Sequence, residues 1–303
     1  MTTKTPTEHK LSPTALKARA VDARQRLEAE RPRHWLIDAG FRSVQLLTES
    51  GAGMLAGAIA FRFFMFLVPA VFVLVMGLGL GADLSNASVE DVAKQAGIAG
   101  VASTAIRSGA DASTTTQWVT LGIAVYALFS GSRNLLKALW VSHLLLWKVG
   151  VRRIPRATVG TLALIGILAA TLFVLRLVNA VKGISFAGWL VGLILYTTVP
   201  AALWFWASLH VFPRAPDATW RDLWLGAVVF GVGVEVLQLA TVLWLAKSIE
   251  SKSTTYGAIG AALSLLLWAY LLGRLVTTVI ALNAAVWRSN RRKAGVEQLE
   301  VET

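Results

Sequence analysis

Cysteine is absent from the 303 residues, so no disulfide framework, zinc–thiolate site or thiol nucleophile can be built from them. Charge is scarce as well. Only 15% of the residues are Asp, Glu, Lys or Arg, against about 25% in an ordinary soluble domain. Acids are the scarcer sign: 17 Asp and Glu stand against 29 Lys and Arg, a net charge of +12. Histidine occurs as His9, His34, His143 and His210, and none is spaced with acids as a metal site or catalytic triad requires. No G-x-x-x-x-G-K-[ST] run exists, which excludes ATP hydrolysis through a P-loop. An enzyme is not expected, nor is any cofactor or metal.

What is present is apolar, 55% of the chain. Charges crowd the two ends and a few short connectors. Between them lie runs long enough to cross a bilayer, which takes about 20 residues at about 1.5 Å rise each. Six spans are predicted, over roughly 51–81, 117–146, 157–180, 187–211, 222–247 and 256–287. The fold class is therefore all-α: a polytopic six-transmembrane-helix bundle with N-terminal cytoplasmic or interfacial helices. The first apolar run starts near Gly51, after a long charged tail, which is the wrong place for a cleaved signal peptide. Pro69 and Pro200 fall inside spans and predict local kinks.

The distribution of Lys and Arg sets the expected orientation. The leading tail holds Lys4, Lys10, Lys17, Arg19, Arg24, Arg26, Arg31, Arg33 and Arg42. The same side adds Lys148, Arg152, Arg153, Arg156, Arg214, Arg221, Arg288, Arg291, Arg292 and Lys293, nineteen in all. The opposite side holds five: Lys94, Arg107, Lys182, Lys247 and Lys252. The positive-inside rule then puts both termini in the cytoplasm. The tail arginines come without interleaved aromatics or a nucleic-acid-binding motif, so they read as topology and lipid charge, not nucleic-acid affinity.

Three parts are expected: a basic tail with an interfacial helix over 1–50, the membrane domain over 51–288, and a cytoplasmic tail over 289–303. Within the first, Ser12 and Pro13 open a polar helix to about Glu30. After Pro32, Trp35, Leu36, Ala39, Val44 and Leu47 fall broadly on one face. That stripe suits a helix at the interface, with Arg33 and Arg42 near lipid phosphates. It suits equally a helix packed under the bundle. In the long connector 82–116, Ser88 and Asp91 have capping-box spacing and predict one extracytoplasmic helix.

Few charged residues lie inside the spans. Arg62, in "AFRFFMFLVPA", Glu235 and Arg274 all sit roughly 16–20 Å in from the same side, at about 1.5 Å per residue. Facing one another they satisfy one another; facing lipid each is costly. Glu235 is expected to contact Arg62 or Arg274. One reading is a buried ionic cluster that fixes helix rotation; the other is a polar cavity for an anionic head group, lined by Arg62, Arg133, Glu235 and Arg274. Asn134, Lys137 and Gln238 add polarity there, whereas Arg176 lies nearer the outer face and is placed to snorkel. Gly53-x-x-x-Gly57 and Gly257-x-x-x-Ala261 are small-xxx-small patterns, and Gly226, Gly231 and Gly233 thin the fifth span for close packing.

The last span, "YGAIGAALSLLLWAYLLGRLVTTVIALNAA", resembles the closing signature of the YihY/BrkB family through Tyr256, Gly257, Leu267, Trp268, Tyr270, Leu282 and Asn283. "AFRFFMFLVP" resembles that family's first span at Ala60, Phe61, Leu67 and Pro69, and "ALFSGSRNLLKALW" is similar to its second. The resemblance covers roughly residues 35–288. Arg62 stands where the family commonly has an aromatic, Phe66 where it often has serine, and Ala281 at the position of a glutamate. A mechanism resting on that acid does not carry over. The resemblance implies a bacterial inner-membrane protein linked to envelope integrity, sometimes to virulence or lipid export; an old ribonuclease label finds no support in these residues.

The expectation is thus a multi-pass inner-membrane protein that supports the envelope and moves an anionic lipid or amphiphile, with membrane lipids as partners and the oligomeric state left open. The alternative is a scaffold whose charges only hold the bundle together.

Overall fold

The computed structural model describes residues 35–82, 114–150, 186–240 and 246–293, with Asp22, Leu162 and Gly166 besides. Among these there are six α-helices and no strand: α1 (Trp35–Glu49), α2 (Ala52–Ala82), α3 (Thr114–Trp147), α4 (Phe186–His210), α5 (Trp220–Ala240) and α6 (Ala246–Lys293). Four stretches are long and apolar enough to cross a membrane: Ala52–Ala70, Trp118–Trp147, Trp220–Ala240 and Ala262–Arg292. The helical membrane class stands, with four such stretches among the described residues where six spans were expected. α4 forms over the expected fourth span. The expected third span, the connector helix from Ser88 and nearly all of the polar helix from Ser12 lie outside the described residues. α2 and α4 continue through Pro69 and Pro200.

α6 is the axis of the molecule. It packs against α1, α2, α3 and α5, while α2 pairs with α3 and α4 with α5. Small residues allow the helices this approach. Gly273 of α6 lies on the backbone of Ala56 in α2, Gly131 of α3 on that of Phe66, and Gly231 of α5 on Thr197 and Ala201 of α4. Gly226 and Gly233 of α5 lie against Asn283 and Leu275 of α6. Between apolar helices in lipid, such close contact supplies the packing that a hydrophobic driving force supplies in water.

The three glycines expected to thin the fifth span thus each make room for a neighbour. Gly53-x-x-x-Gly57 does not: a Cβ at either position meets open space. Ala56 between them, fully buried, carries the contact with α6. At about 100° per residue it lies about 60° around the helix from Gly53 and about 100° from Gly57.

The helix ends are built for one another. α1 stops at Gly51, whose φ of +59° suits a residue without Cβ, and α2 begins at once. α3 closes with a Schellman pair, Val149 N–H to the Leu144 carbonyl at 3.2 Å and Lys148 N–H to that of Leu145 at 3.3 Å. Lys148 itself holds φ 53°, a conformation that costs a non-glycine residue about 1–2 kcal/mol. The Arg214 guanidinium donates to the last carbonyls of α4, on Ser208 and Leu209. Thr219 opens α5, and Asp222 reaches back to accept from its N–H and hydroxyl at 2.8 and 2.9 Å.

Side chains then bolt these ends together. Lys148 pairs with Glu49 at 3.0 Å, joining α3 to the end of α1. Ser289 donates to Asp38 and Asn290 to Asp222, at 3.0 and 2.7 Å, joining α6 to α1 and α5. Arg288 donates to the carbonyls of Leu146 and Trp147 at 3.4 and 3.3 Å. Asp217 receives the Trp287 indole N–H at 3.3 Å and faces Arg291 at 3.5 Å. This is the latched end of the bundle. The fully buried Leu146, Leu223 and Val286 lie beside it.

α1 is pressed onto α6. Its buried face is Ala39, Ser43 and Leu46, with Leu47 beside them; Val44, expected on that face, is 62% exposed. Arg42 spends its Nε–H on Asp38 at 2.8 Å. Asp38, which accepts from Ser289 of α6, lies about 120° around α1 from Val44.

Candidate functional site

Position along the helices puts Arg62, Glu235 and Arg274 at one level. The contacts keep Glu235 level with Arg274, through Gly233 on Leu275, but set Arg62 about 9 Å along α2 from that level, through Gly273 on Ala56. Glu235 lies one turn beyond Gly231, on the face that Gly231 presses against α4. Gly233, which faces Leu275 of α6, is about 200° away around α5. The carboxylate therefore points toward α4, where Tyr196 lies within its electrostatic reach. Its Oε2 is buried and accepts no hydrogen bond. Among the described residues no ion pair joins Glu235 to Arg62 or Arg274, so the expected contact is not made. Rotation of α5 keeps Glu235 from Arg274, and the setting of α2 along α6 keeps it from Arg62.

Arg62 turns the other way. On α2 it lies one turn from Phe66, which meets Gly131 of α3, and its Nη1 donates to the Asn134 carbonyl of α3 at 3.3 Å. Arg133 precedes Asn134 and Lys137 follows Arg133 by one turn; all three are exposed. Arg133 and Lys137 lie about 200° and 240° around α3 from Gly131, on the side away from α2. Arg274 is exposed on α6 near Leu267, Tyr270 and Leu271, which are exposed too. Its carbonyl accepts from the Thr277 and Thr278 hydroxyls at 3.0 and 2.7 Å.

Of the expected lining, then, Arg62 meets α3 only at the Asn134 carbonyl, while Arg133, with Lys137 one turn on, lies on the outward face of α3. Glu235 and Arg274 stand apart from these and from each other. None of these four cations has a described carboxylate within ion-pair distance. Each cation at the centre of a spanning helix costs at least about 2.5–3.5 kcal/mol on insertion scales. Among the described residues no carboxylate offsets that cost by pairing with them.

A second polar group lies toward the latched end. His143 of α3 is buried, stacked on Phe212 at 4.3 Å between ring centroids and 6.0 Å from the Trp204 ring. Its Nδ1 shares a hydrogen with the Leu139 carbonyl at 2.8 Å. Trp204 stacks on Phe230 of α5 at 4.5 Å. The buried Trp204 Nε1, Ser208 Oγ and Asn283 Oδ1 have no partner.

The latching residues were not singled out from sequence. The Thr219-x-x-Asp222 spacing before an apolar run carries the signal for Asp222, and Asp38 four residues before Arg42 carries it for α1. Nothing local marks Ser289 or Asn290 as their distant partners.

The family model described as Virulence factor BrkB matches residues 44–300. No curated protein and no solved structure matches the chain. With apolar helices in a membrane bundle, and with a family match that runs from within α1 to beyond the end of α6, the chain belongs to the Virulence factor BrkB family, also called YihY/BrkB.

Proposed function

We propose that this membrane protein moves an anionic lipid or amphiphile between the leaflets of a bacterial inner membrane, and so supports the envelope, without catalysing a reaction. One observation carries the proposal: Arg62, Arg133, Lys137 and Arg274 lie within apolar helices and have no described carboxylate to neutralise them. The scaffold alternative needs Glu235 paired with Arg62 or Arg274. The described ion pairs lie instead within α1 and at the helix ends, where Asp38, Glu49 and Asp217 take the cations. The basic excess on the side of both termini supports placing them in the cytoplasm.

Proteoliposomes holding fluorescent phosphatidylglycerol in both leaflets test this, with an impermeant quencher added outside. Quenching is expected to pass beyond the outer leaflet's share with the wild-type chain, and to fall back when Arg62, Arg133 and Arg274 are all glutamine. A plateau at the outer leaflet's share with the wild-type chain would end the transport reading.

A further inference from the structure

We infer that the outward strip of α3 formed by Arg133, Asn134 and Lys137, with Arg62 of α2 at its edge, binds the phosphate of an anionic phospholipid whose acyl chains stay in the surrounding bilayer. The inference deepens the proposed transport by giving its substrate an external furrow in place of a closed cavity between helices.

Three observations converge on it. The first is direction. Gly131 marks the face of α3 that meets α2, and His143, which stacks on Phe212, marks its contact with the end of α4. Arg133 and Lys137 fall on neither face, and both are exposed. Arg62 reaches from α2 to the edge of the same face through the Asn134 carbonyl. One outward strip of α3 thus carries two cations, with a third at its edge.

The second is depth. Lys137 and Arg133 lie about 15 and 21 Å from the α3 terminus at Trp147, at about 1.5 Å per residue. That is near the middle of a hydrocarbon core about 30 Å thick. A free anion would have to leave water to arrive there. A phospholipid brings its phosphate on chains already at home in that phase, and the exposed Tyr126, Val141 and Leu145 along α3 give those chains apolar surface. Guanidinium and ammonium groups suit a phosphodiester, the first as a paired donor and the second as a point charge.

The third is charge. A second copy of the chain seated on this strip would need carboxylates at the same depth. Among the described residues of the apolar helices the only carboxylate near that level is Glu235, and it faces α4. Two copies would oppose cation to cation.

The test uses the full chain in vesicles of phosphatidylethanolamine with a minority of radiolabelled phosphatidylglycerol. A photo-crosslinking residue is placed at Val141, one turn from Lys137, or at Val232 on the exposed face of α5 as control; both sites are exposed. Labelling by phosphatidylglycerol is expected to be stronger at Val141. It should fall about fivefold for each cation removed in R133Q and K137Q, the effect of about 1 kcal/mol per cation. The charge-keeping pair R133K and K137R should retain it, which separates lost charge from lost folding. Equal labelling at the two sites, labelling that survives R133Q with K137Q, or a crosslinked dimer in place of the lipid adduct would overturn the inference. Lipid movement is read separately in the same vesicles. Movement without labelling removes the furrow and leaves the transport proposal standing; labelling without movement does the reverse.

Discussion

Glu235 shows how much a single side chain's rotation decides. Because it faces α4 and meets neither arginine, changing it should not strand a charge on α2 or α6. In a double-mutant cycle of Glu235→Gln with Arg62→Met, thermal unfolding in detergent should give a coupling below about 0.5 kcal/mol, as for sites that share no partner. A coupling near 3 kcal/mol, the size seen when one member of a buried pair is removed, would place the two in contact. Glu49 behaves differently, for it has partners. The hydrogen bond from Lys148, then that from Gln45, then the Lys148 charge hold its carboxyl below the ordinary value of 4.5. A carboxyl lowered by folding stabilises fully above that ordinary value, and the contribution is lost as pH falls through the lowered one. Melting curves of Glu49→Gln should therefore approach those of the wild type as the medium is acidified. A constant gap between them at all pH values would remove the linkage.

At the scale of elements, close helix approach depends on particular small residues rather than on the visible pattern. Gly273→Ala forces a Cβ into the backbone of Ala56, and such overpacking costs about 1–3 kcal/mol. Gly53→Ala and Gly57→Ala meet nothing and should leave the melting temperature unchanged. The reverse order would show that the first span associates through its glycine pair. α1 offers a second case. Asp38 accepts from both Arg42 and Ser289, so Asp38→Ala leaves both donors unpartnered, at about 1–3 kcal/mol for a buried group. Hydrogen exchange in 35–49 should rise in that variant while the core of α6 stays protected; unchanged exchange would mean that apolar contact alone seats the helix.

The whole molecule is ordered from one end. Glu49, Lys148, Asp217, Asp222, Arg288 and Asn290 come from four helix ends and the α4–α5 connector, beside the most deeply buried side chains. The termini of the membrane domain lie at this end, which is also the end rich in Lys and Arg. Reporter fusions after Thr303 are expected to read cytoplasmic and insertions within 95–112 extracytoplasmic; the opposite pattern would invert the bundle.

Much of this was legible in the residues themselves. Hydropathy marks apolar helices because a bilayer admits few charges and requires every backbone group to be satisfied within a helix. The family signature in the last span is local, and so is the thinning at Gly226, Gly231 and Gly233, where three glycines stand in eight residues. The common level of Glu235 and Arg274 is also local, since rise per residue converts position into depth; that of Arg62 depends on how α2 is set along α6, where Gly273 meets Ala56. The directions of all three are not local. Only packing reveals that Gly231 turns α5 so that Glu235 meets α4, that Ala56 and not its flanking glycines touches α6, and that α1 turns Asp38 and not Val44 to α6. A helix repeats its faces every turn, so sequence limits which residues share a face, and the neighbour that each face meets is settled by tertiary contact.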